Sequence, residues 1–233
     1  MDSPISAQTL QEMRTYYQER AREYDEWFYR QGRYSQGAEM DAHWFAEADE
    51  AFVVLNTLHL TGDVLELAAG TGIWTERLIR TAFTITAVDA SLETIEINRA
   101  KVDSAKVSYV QADLFSWRPE RVYDAVCFGF WISHVPLERL DDFLSSVVAM
   151  LRPGGKVFFI DGRRMPGGSF AHDQPPAQNS QLTTRILNDG RTFEIVKNYY
   201  DPIDLAARCT RAGFDITVRE TATYFLYGYG TRR

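Results

Sequence analysis

The chain holds two cysteines in 233 residues, Cys127 and Cys209, too few for a disulfide framework. A reducing cytoplasm is the compartment expected for it. No apolar run approaches the roughly 18–20 residues of a membrane span. The first residues, Met1 to Leu10, lack the apolar centre of a signal peptide. Clustered basic residues are also missing: Arg163-Arg164 and Arg232-Arg233 are isolated pairs, and the net charge is −7. A surface that tracks phosphates needs Lys and Arg gathered on one face, which argues against nucleic acid as a partner. No internal repeat is visible. What remains, a chain 45% hydrophobic, suffices for one substantial core without a second domain.

The most informative stretch is Val64-Leu65-Glu66-Leu67-Ala68-Ala69-Gly70-Thr71-Gly72, a buried strand running into a glycine turn. About 20 residues on, Thr86-Ala87-Val88-Asp89-Ala90-Ser91 reads as a second buried strand ending on a carboxylate. Strand, glycine turn, helix and acidic strand end form the nucleotide half of a doubly wound sheet, where the acid accepts ribose hydroxyls. A dinucleotide site also needs a small residue at position 75 to bring the helix against a pyrophosphate. Thr75 stands there, after the bulky Trp74, which disfavours a nicotinamide oxidoreductase.

Leu65 to Gly72 resembles motif I of class I S-adenosylmethionine (SAM) dependent methyltransferases, and further segments resemble the same family in order. Val107 to Leu114 is a third strand ending in Ala112-Asp113-Leu114, Tyr123 to Phe128 a fourth, and Gly155 to Asp161 a fifth. Leu151-Arg152-Pro153-Gly154-Gly155 is similar to the family's turn into strand five. The resemblance covers residues 63–161, with tail elements continuing to about 225. It implies an α/β, doubly wound, Rossmann-like seven-stranded sheet of order 3-2-1-4-5-7-6 with an N-terminal helical cap. A single domain over 1–233 is expected: cap 1–60, SAM-binding core 61–162, loop and hairpin insertion 163–200, C-terminal helix and strands 201–233. Ala68 replaces the first loop glycine of the family, so a negative φ is expected there.

Local signals fill in the rest. Ile5, Leu10, Met13, Tyr17, Tyr24 and Phe28 predict an amphipathic helix over 5–30, and a second helix is expected from about Ala38 to His59. Ser91 reads as an N-cap and Pro136 as a helix start. Residues 163–181, rich in Gly, Pro and Gln, read as a mobile surface loop. Asn188-Asp189-Gly190 signals a hairpin between Leu182–Leu187 and Arg191–Lys197, and Pro202–Ala212 a helix ended by Gly213.

By resemblance, SAM is the cofactor, and the loop residues Ala68, Gly70, Thr71 and Gly72 cradle its methionine part. Asp89 with Ala90 takes the ribose; Asp113 with Leu114 takes the adenine. Glu66 either sits in the cofactor's shell or only braces the loop. The segment Tyr16 to Asp25 resembles one in ubiquinone- and menaquinone-type methyltransferases in which a tyrosine folds over SAM; Tyr17 and Tyr24 read equally as a packed stripe. Phe130 belongs to the turn after strand four, where ligands of open α/β sheets lie. In that turn His134 is the candidate general base, the alternative being a buried imidazole on a backbone carbonyl. His43, His59 and His172 have no matching partners. No metal is expected, because beside Asp161 the strand-four end supplies only Gly129, Phe130 and Trp131 where catechol-type relatives have ligands. The box of nucleobase amino methyltransferases is also missing.

The function expected is methyl transfer from SAM to a small molecule, by O- or N-methylation of an aromatic or apolar metabolite. Two aromatic segments are the expected cover: Trp27, Phe28, Tyr29, Tyr34, Trp44 and Phe45, and Phe193, Tyr199 and Tyr200. The alternative is a SAM-binding regulatory or scaffold protein. The oligomeric state stays open.

Overall fold

A computed structural model of the chain describes residues 4–164 and 180–233. Most of the loop expected over 163–181, His172 included, lies outside the described residues. Three helices precede the sheet: α1 (Ala7–Glu19), α2 (Tyr24–Phe28) and α3 (Ala38–Leu58). The Ser6 side chain caps α1 by accepting from the Thr9 amide at 3.0 Å. The single helix expected over 5–30 breaks at Arg20–Glu23. The break lets the Arg20 guanidinium bury against the Tyr24 and Trp27 rings, 5.3 and 5.6 Å from their centroids.

The core alternates β1 (Asp63–Leu67), α4 (Thr75–Leu78), β2 (Thr84–Asp89), α5 (Leu92–Val102), β3 (Val107–Gln111), β4 (Tyr123–Gly129), α6 (Leu140–Met150) and β5 (Leu151–Gly162). A two-stranded hairpin follows, β6 (Leu182–Ile186) and β7 (Thr192–Val196). Then come α7 (Pro202–Ala212), β8 (Phe214–Glu220) and β9 (Phe225–Arg232). The main sheet runs β3-β2-β1-β4-β5-β9-β8, with β9 antiparallel to both neighbours. Counting only its own strands, this is the expected 3-2-1-4-5-7-6; the hairpin stands apart and shifts the labels.

Strands buried on both faces are rich in apolar residues, and β1 is one, apolar but for Asp63 and Glu66. Val64 joins Trp44, Phe52, Leu78 and Phe158 under α3 and α4. Its neighbour Leu65 packs with Phe128, Phe143, Val147 and Leu205 under α6 and α7. The hairpin is held by a smaller cluster in which Leu10, Met13 and Tyr16 of α1 meet Leu187, Ile195 and Val196. So α1 lies over the ends of the strands, pinned there by the hairpin. Ser91 caps α5 as expected. Asp201 caps α7, with Gly213 at its end in the positive-φ region, φ +121°. Pro136 opens a short 3₁₀ turn, and α6 begins only at Leu140. Cys127 and Cys209 are buried thiols. No described helix is long and apolar enough to cross a membrane.

Candidate active site

The chain leaves β1 in a turn whose backbone is left-handed at Ala68 (φ +51°), Gly70 (+52°) and Gly72 (+93°). The negative φ expected at Ala68 is thus corrected: the alanine adopts the glycine conformation, at a cost of about 1–2 kcal/mol. The turn tolerates this because it is tied from several sides. The Ala69 amide donates to the Val88 carbonyl at 3.0 Å. The buried Asn98 of α5 sets its amide on the Gly70 carbonyl (3.3 Å) and the Thr75 hydroxyl (2.9 Å). At Gly72 a Cβ would come within 2.8 Å of Asn98 Oδ1, so glycine is required for space as well as for φ. Ala68→Gly should relieve the strain at Ala68. Allowing for the added freedom of the unfolded chain, the variant gains about 0.5–1 kcal/mol, read from urea unfolding midpoints.

Thr75, which breaks the dinucleotide pattern, has a structural task. Its hydroxyl donates to Glu66 Oε2 at 2.7 Å. Burial pushes the Glu66 carboxyl up to about 8, against the Thr75 hydrogen bond and with help from the Asp89 charge. Glu66 does not line the cavity; of its two readings, the brace beneath the loop is the one the geometry takes. Thr71 also turns away: its hydroxyl donates to Asp25, whose other oxygen meets Lys101 at 2.5 Å, tying α2 to the loop and α5. Thr71 and Gly72 shape the turn, and the cleft is lined by Ala68 and Gly70 beside them.

Above the turn lies a cleft at the carboxyl ends of the parallel strands, the place ligands occupy in such sheets. Ala68, Gly70, Asp89, Ala90, Asp113 and Leu114 form its floor and side. Leu10, Met13, Arg14 and Tyr17 of α1, with Tyr24 and Phe130, close it. Asp89 Oδ2 accepts from the Gly70 amide and Oδ1 from the Ser91 amide, both at 2.9 Å. Burial raises its pKa, while these hydrogen bonds oppose the shift. Oδ1 also accepts from the Thr94 hydroxyl at 3.1 Å, so it is Oδ2 that keeps a lone pair for a ribose hydroxyl. Asp113 accepts from the Phe115 amide at 2.9 Å and pairs with Arg14. Arg14 escaped the sequence reading because nothing local connects it to a carboxylate 99 positions away.

A second cleft adjoins the first, and Tyr17, Tyr24, Phe130 and His134 line both. Phe130 itself sits at φ +55°, a strained conformation where the two meet. His134 is buried. Its Nδ1 lies 2.7 Å from the Val196 carbonyl and its Nε2 2.6 Å from the Tyr17 hydroxyl. A carbonyl only accepts, so Nδ1 carries the hydrogen and Nε2 accepts from Tyr17. Burial, then the Lys197 charge, lowers the imidazole to about 3; burial also raises the Tyr17 hydroxyl well above its usual value. The pair is neutral at physiological pH. The imidazole of the candidate base thus meets Tyr17 before it meets an acceptor.

The cations of the second cleft went unseen in the sequence. Arg20, Arg163, Arg185 and Lys197 line it alongside Trp27, Trp44 and Tyr199. Lys197 Nζ donates to Asp161 Oδ1 (2.9 Å) and Ser133 Oγ (2.8 Å), while the Ser133 amide donates to Asp161 Oδ2 at 3.0 Å. Burial works to raise the Asp161 carboxyl, but Lys197 holds it below its ordinary value. Of the expected aromatic cover, Phe28 is core, Tyr29 and Phe45 are exposed, and Tyr200 donates to the Ile132 carbonyl.

Residues 64–155 match the family described as a methyltransferase domain. Over nearly the full length, covering 98% of both chains, the fold superposes on DhpI in complex with S-adenosylhomocysteine (SAH), at 34% identity and a TM-score of 0.80. This chain belongs to the class I SAM-dependent methyltransferases. A complex of DhpI with SAM and a ligand designated HEP is 36% identical with a TM-score of 0.79, over 97% of this chain and 99% of that one. Among curated relatives, the ubiquinone biosynthesis O-methyltransferase of Rickettsia felis is 30% identical over 95 residues, 40% of this chain and 38% of that protein. The demethylmenaquinone methyltransferase of Tropheryma whipplei is 24% identical over 192 residues, 76% of this chain and 74% of that one. The chain thus spans about two fifths of the ubiquinone enzyme it matches. SAM is the cofactor of this family. The first cleft suits it, with a carboxylate at the end of β2 and a backbone turn whose glycines admit close approach.

Proposed function

We propose that the protein catalyses methyl transfer from SAM, seated in the first cleft, to the oxygen or nitrogen of a small molecule held in the second. The carrying observation is that the two clefts meet at Tyr17, Tyr24, Phe130 and His134, with α1 giving Tyr17 to the lining of both. SAM supplies a methyl on a sulfonium, electrophilic enough that the protein need form no covalent intermediate. The chain's task is then to orient and to exclude water. Asp89 and the Gly70 turn fix the nucleoside end; the aromatic walls of Tyr24, Trp27, Trp44 and Phe130 hold the flat or apolar part of the acceptor. The acidic net charge and two free thiols suit a cytoplasmic enzyme.

Calorimetry with SAM, SAH and NADH tests the first half of this reading. SAM and SAH should bind with 1:1 stoichiometry and NADH should not; the opposite ranking would remove it. Incubation with SAM and candidate acceptors, read as SAH formed, tests the second half.

The neutral Tyr17–His134 pair adds an expectation. The imidazole stays deprotonated at pH values far above about 3. Initial rates at saturating SAM and acceptor should therefore show no histidine inflection between about pH 5 and 8. An inflection near pH 6.5 that His134→Gln abolishes would restore His134 as the base. Tyr17→Phe should lower kcat through lost orientation, without introducing such an inflection.

A further inference from the structure

Lys197 stands just past β7 and lines the second cleft, although its side chain is only 11% exposed. An ammonium has three N–H donors. Two are assigned, one to Asp161 Oδ1 at 2.9 Å and one to Ser133 Oγ at 2.8 Å. The third meets no acceptor among the described residues; the Tyr199 ring, which shares the cleft, has its centroid 5.4 Å from Nζ. Asp161 balances the charge, so what the cleft is offered is a donor hydrogen and not a surplus of charge. Asp161 is itself fixed, accepting from the Ser133 amide at 3.0 Å and the Gly162 amide at 2.7 Å. Nζ is therefore held between the end of β5 and the turn after β4. Ser133 adjoins His134, which lines both clefts, so this donor stands beside their junction.

Gly162 keeps the approach to Nζ open. It lines the same cleft, and a Cβ built on it would have two neighbours within 4 Å, Nζ at 3.8 Å and the Tyr224 carbonyl at 4.0 Å. Its φ lies outside the positive range, so the backbone does not demand a glycine.

A hydroxyl oxygen carries two lone pairs and can accept from an N–H with one while the other attacks the methyl. An amine nitrogen has a single lone pair, which must point at the methyl, and so has nothing to offer Nζ. An amine arriving protonated would also need a base. No carboxylate lines this cleft among the described residues, and His134 Nε2 already accepts from Tyr17. We infer that Lys197 is a catalytic residue whose remaining N–H holds the acceptor's nucleophilic oxygen, with Asp161 and Ser133 as its positioning residues, and that transfer goes to oxygen. This deepens the methyltransferase reading and rests on it. The acceptor hydroxyl gives its proton to solvent water, and the ammonium stabilises the oxyanion left behind. A lone pair of that oxygen forms the new C–O bond as the S–CH3 bond breaks, and the electrons of the broken bond stay on sulfur.

The test uses the full chain saturated with SAH, titrated calorimetrically with 4-nitrophenol and with 4-nitroaniline, which differ only in oxygen against nitrogen. The wild type should bind the phenol at least about tenfold more tightly, the scale of one charge-assisted hydrogen bond. Bound 4-nitrophenol should also ionise about one pH unit below the free compound, read from its nitrophenolate absorbance. Arg163 and Arg185 line the cleft too and favour an oxyanion, so the assignment to Lys197 comes from variants. Lys197→Met should abolish the preference for the phenol and raise the pH at which it ionises. Unchanged SAH affinity shows that the variant has folded. Should Lys197→Met, which leaves Asp161 without its cation, fail to fold, Gly162→Ala decides in its place. Its added methyl covers Nζ without breaking the ion pair and should lower the preference likewise. If the wild type fails to bind SAH, the methyltransferase reading falls and this inference with it. If SAH binds but the two probes bind alike or not at all, the inference alone is overturned. The same holds if bound 4-nitrophenol ionises no earlier than the free compound, or if the deciding variant keeps the wild-type preference.

Discussion

Asp89→Ala lowers the affinity for SAM by about tenfold or more, the equivalent of losing charge-assisted hydrogen bonds worth roughly 1.5–3 kcal/mol. The carboxylate is placed for this by its own backbone. One oxygen receives the Gly70 amide and the other the Ser91 amide, with the Thr94 hydroxyl at 3.1 Å. It therefore presents the remaining lone pair of Oδ2 to the cleft in a fixed direction. Truncation also strips the acceptor from those two amides, which loosens the turn and adds to the loss. Asp89→Asn separates the two effects. It keeps one oxygen as an acceptor and the side chain's shape but removes the charge. An intermediate affinity in Asn, with both variants unfolding cooperatively, assigns the effect to the ligand. Wild-type affinity in Asp89→Ala would place the nucleoside elsewhere.

Glu66→Gln removes most of the pH dependence of stability between pH 6.5 and 8. The sign follows from linkage. Glu66 is buried with its carboxyl raised from 4.5 to about 8 in the folded protein. Between those values the folded state holds more protons than the unfolded one, so stability falls as pH rises, by at most about 1.4 kcal/mol per pH unit. The stabilising effect of protonation is complete below about 4.5 and gone above about 8. His134 acts in the other direction. Its folded value, lowered from 6.5 to about 3, makes stability fall as pH falls through that range. The two groups oppose each other below pH 6.5, and Glu66 stands without that opposition above it. A neutral amide has the shape of the protonated acid, and its oxygen can accept from Thr75. Urea unfolding at pH 6.5, 7.2 and 8 should show the wild type losing stability while Glu66→Gln stays level. At pH 9 the variant should be the more stable by a few kcal/mol, because keeping a carboxylate charged in this site costs about 1.4 kcal/mol for each pH unit by which burial has displaced it. Parallel slopes in the two proteins would mean that Glu66 is ionised in the fold.

The cofactor side of the molecule was legible because its signals are local. A buried strand, a glycine turn and an acid about 20 residues on lie within one βαβ unit, and the strand order followed from the segments matched in sequence. Asp89, Asp113, Gly70 and Phe130 line the cleft as read. Glu66 and Thr71 share the same motif, but pleat and turn geometry send their side chains down, into contacts that sequence spacing alone does not report. Ala68 shows the complementary error: the alanine rule for φ is a preference of roughly 1–2 kcal/mol, and the ties around the turn outweigh it. The hairpin was legible from Asn188-Asp189-Gly190, but not its position over α1. That position depends on Leu10, Met13 and Tyr16 meeting Ile195 and Val196, a contact between the two ends of the chain.

The four cations of the second cleft, at positions 20, 163, 185 and 197, share one further property. All of them lie outside residues 64–155, the span matched by the methyltransferase-domain family. That span carries the Gly70 turn and the two carboxylates, Asp89 and Asp113, that line the first cleft. Much of the lining of the second cleft comes instead from the helices before that span and the segments after it, which can diverge without disturbing the nucleotide turn. Likeness over 64–155 alone therefore speaks to the methyl donor, and relatives with different acceptors should differ first in the lining of the second cleft.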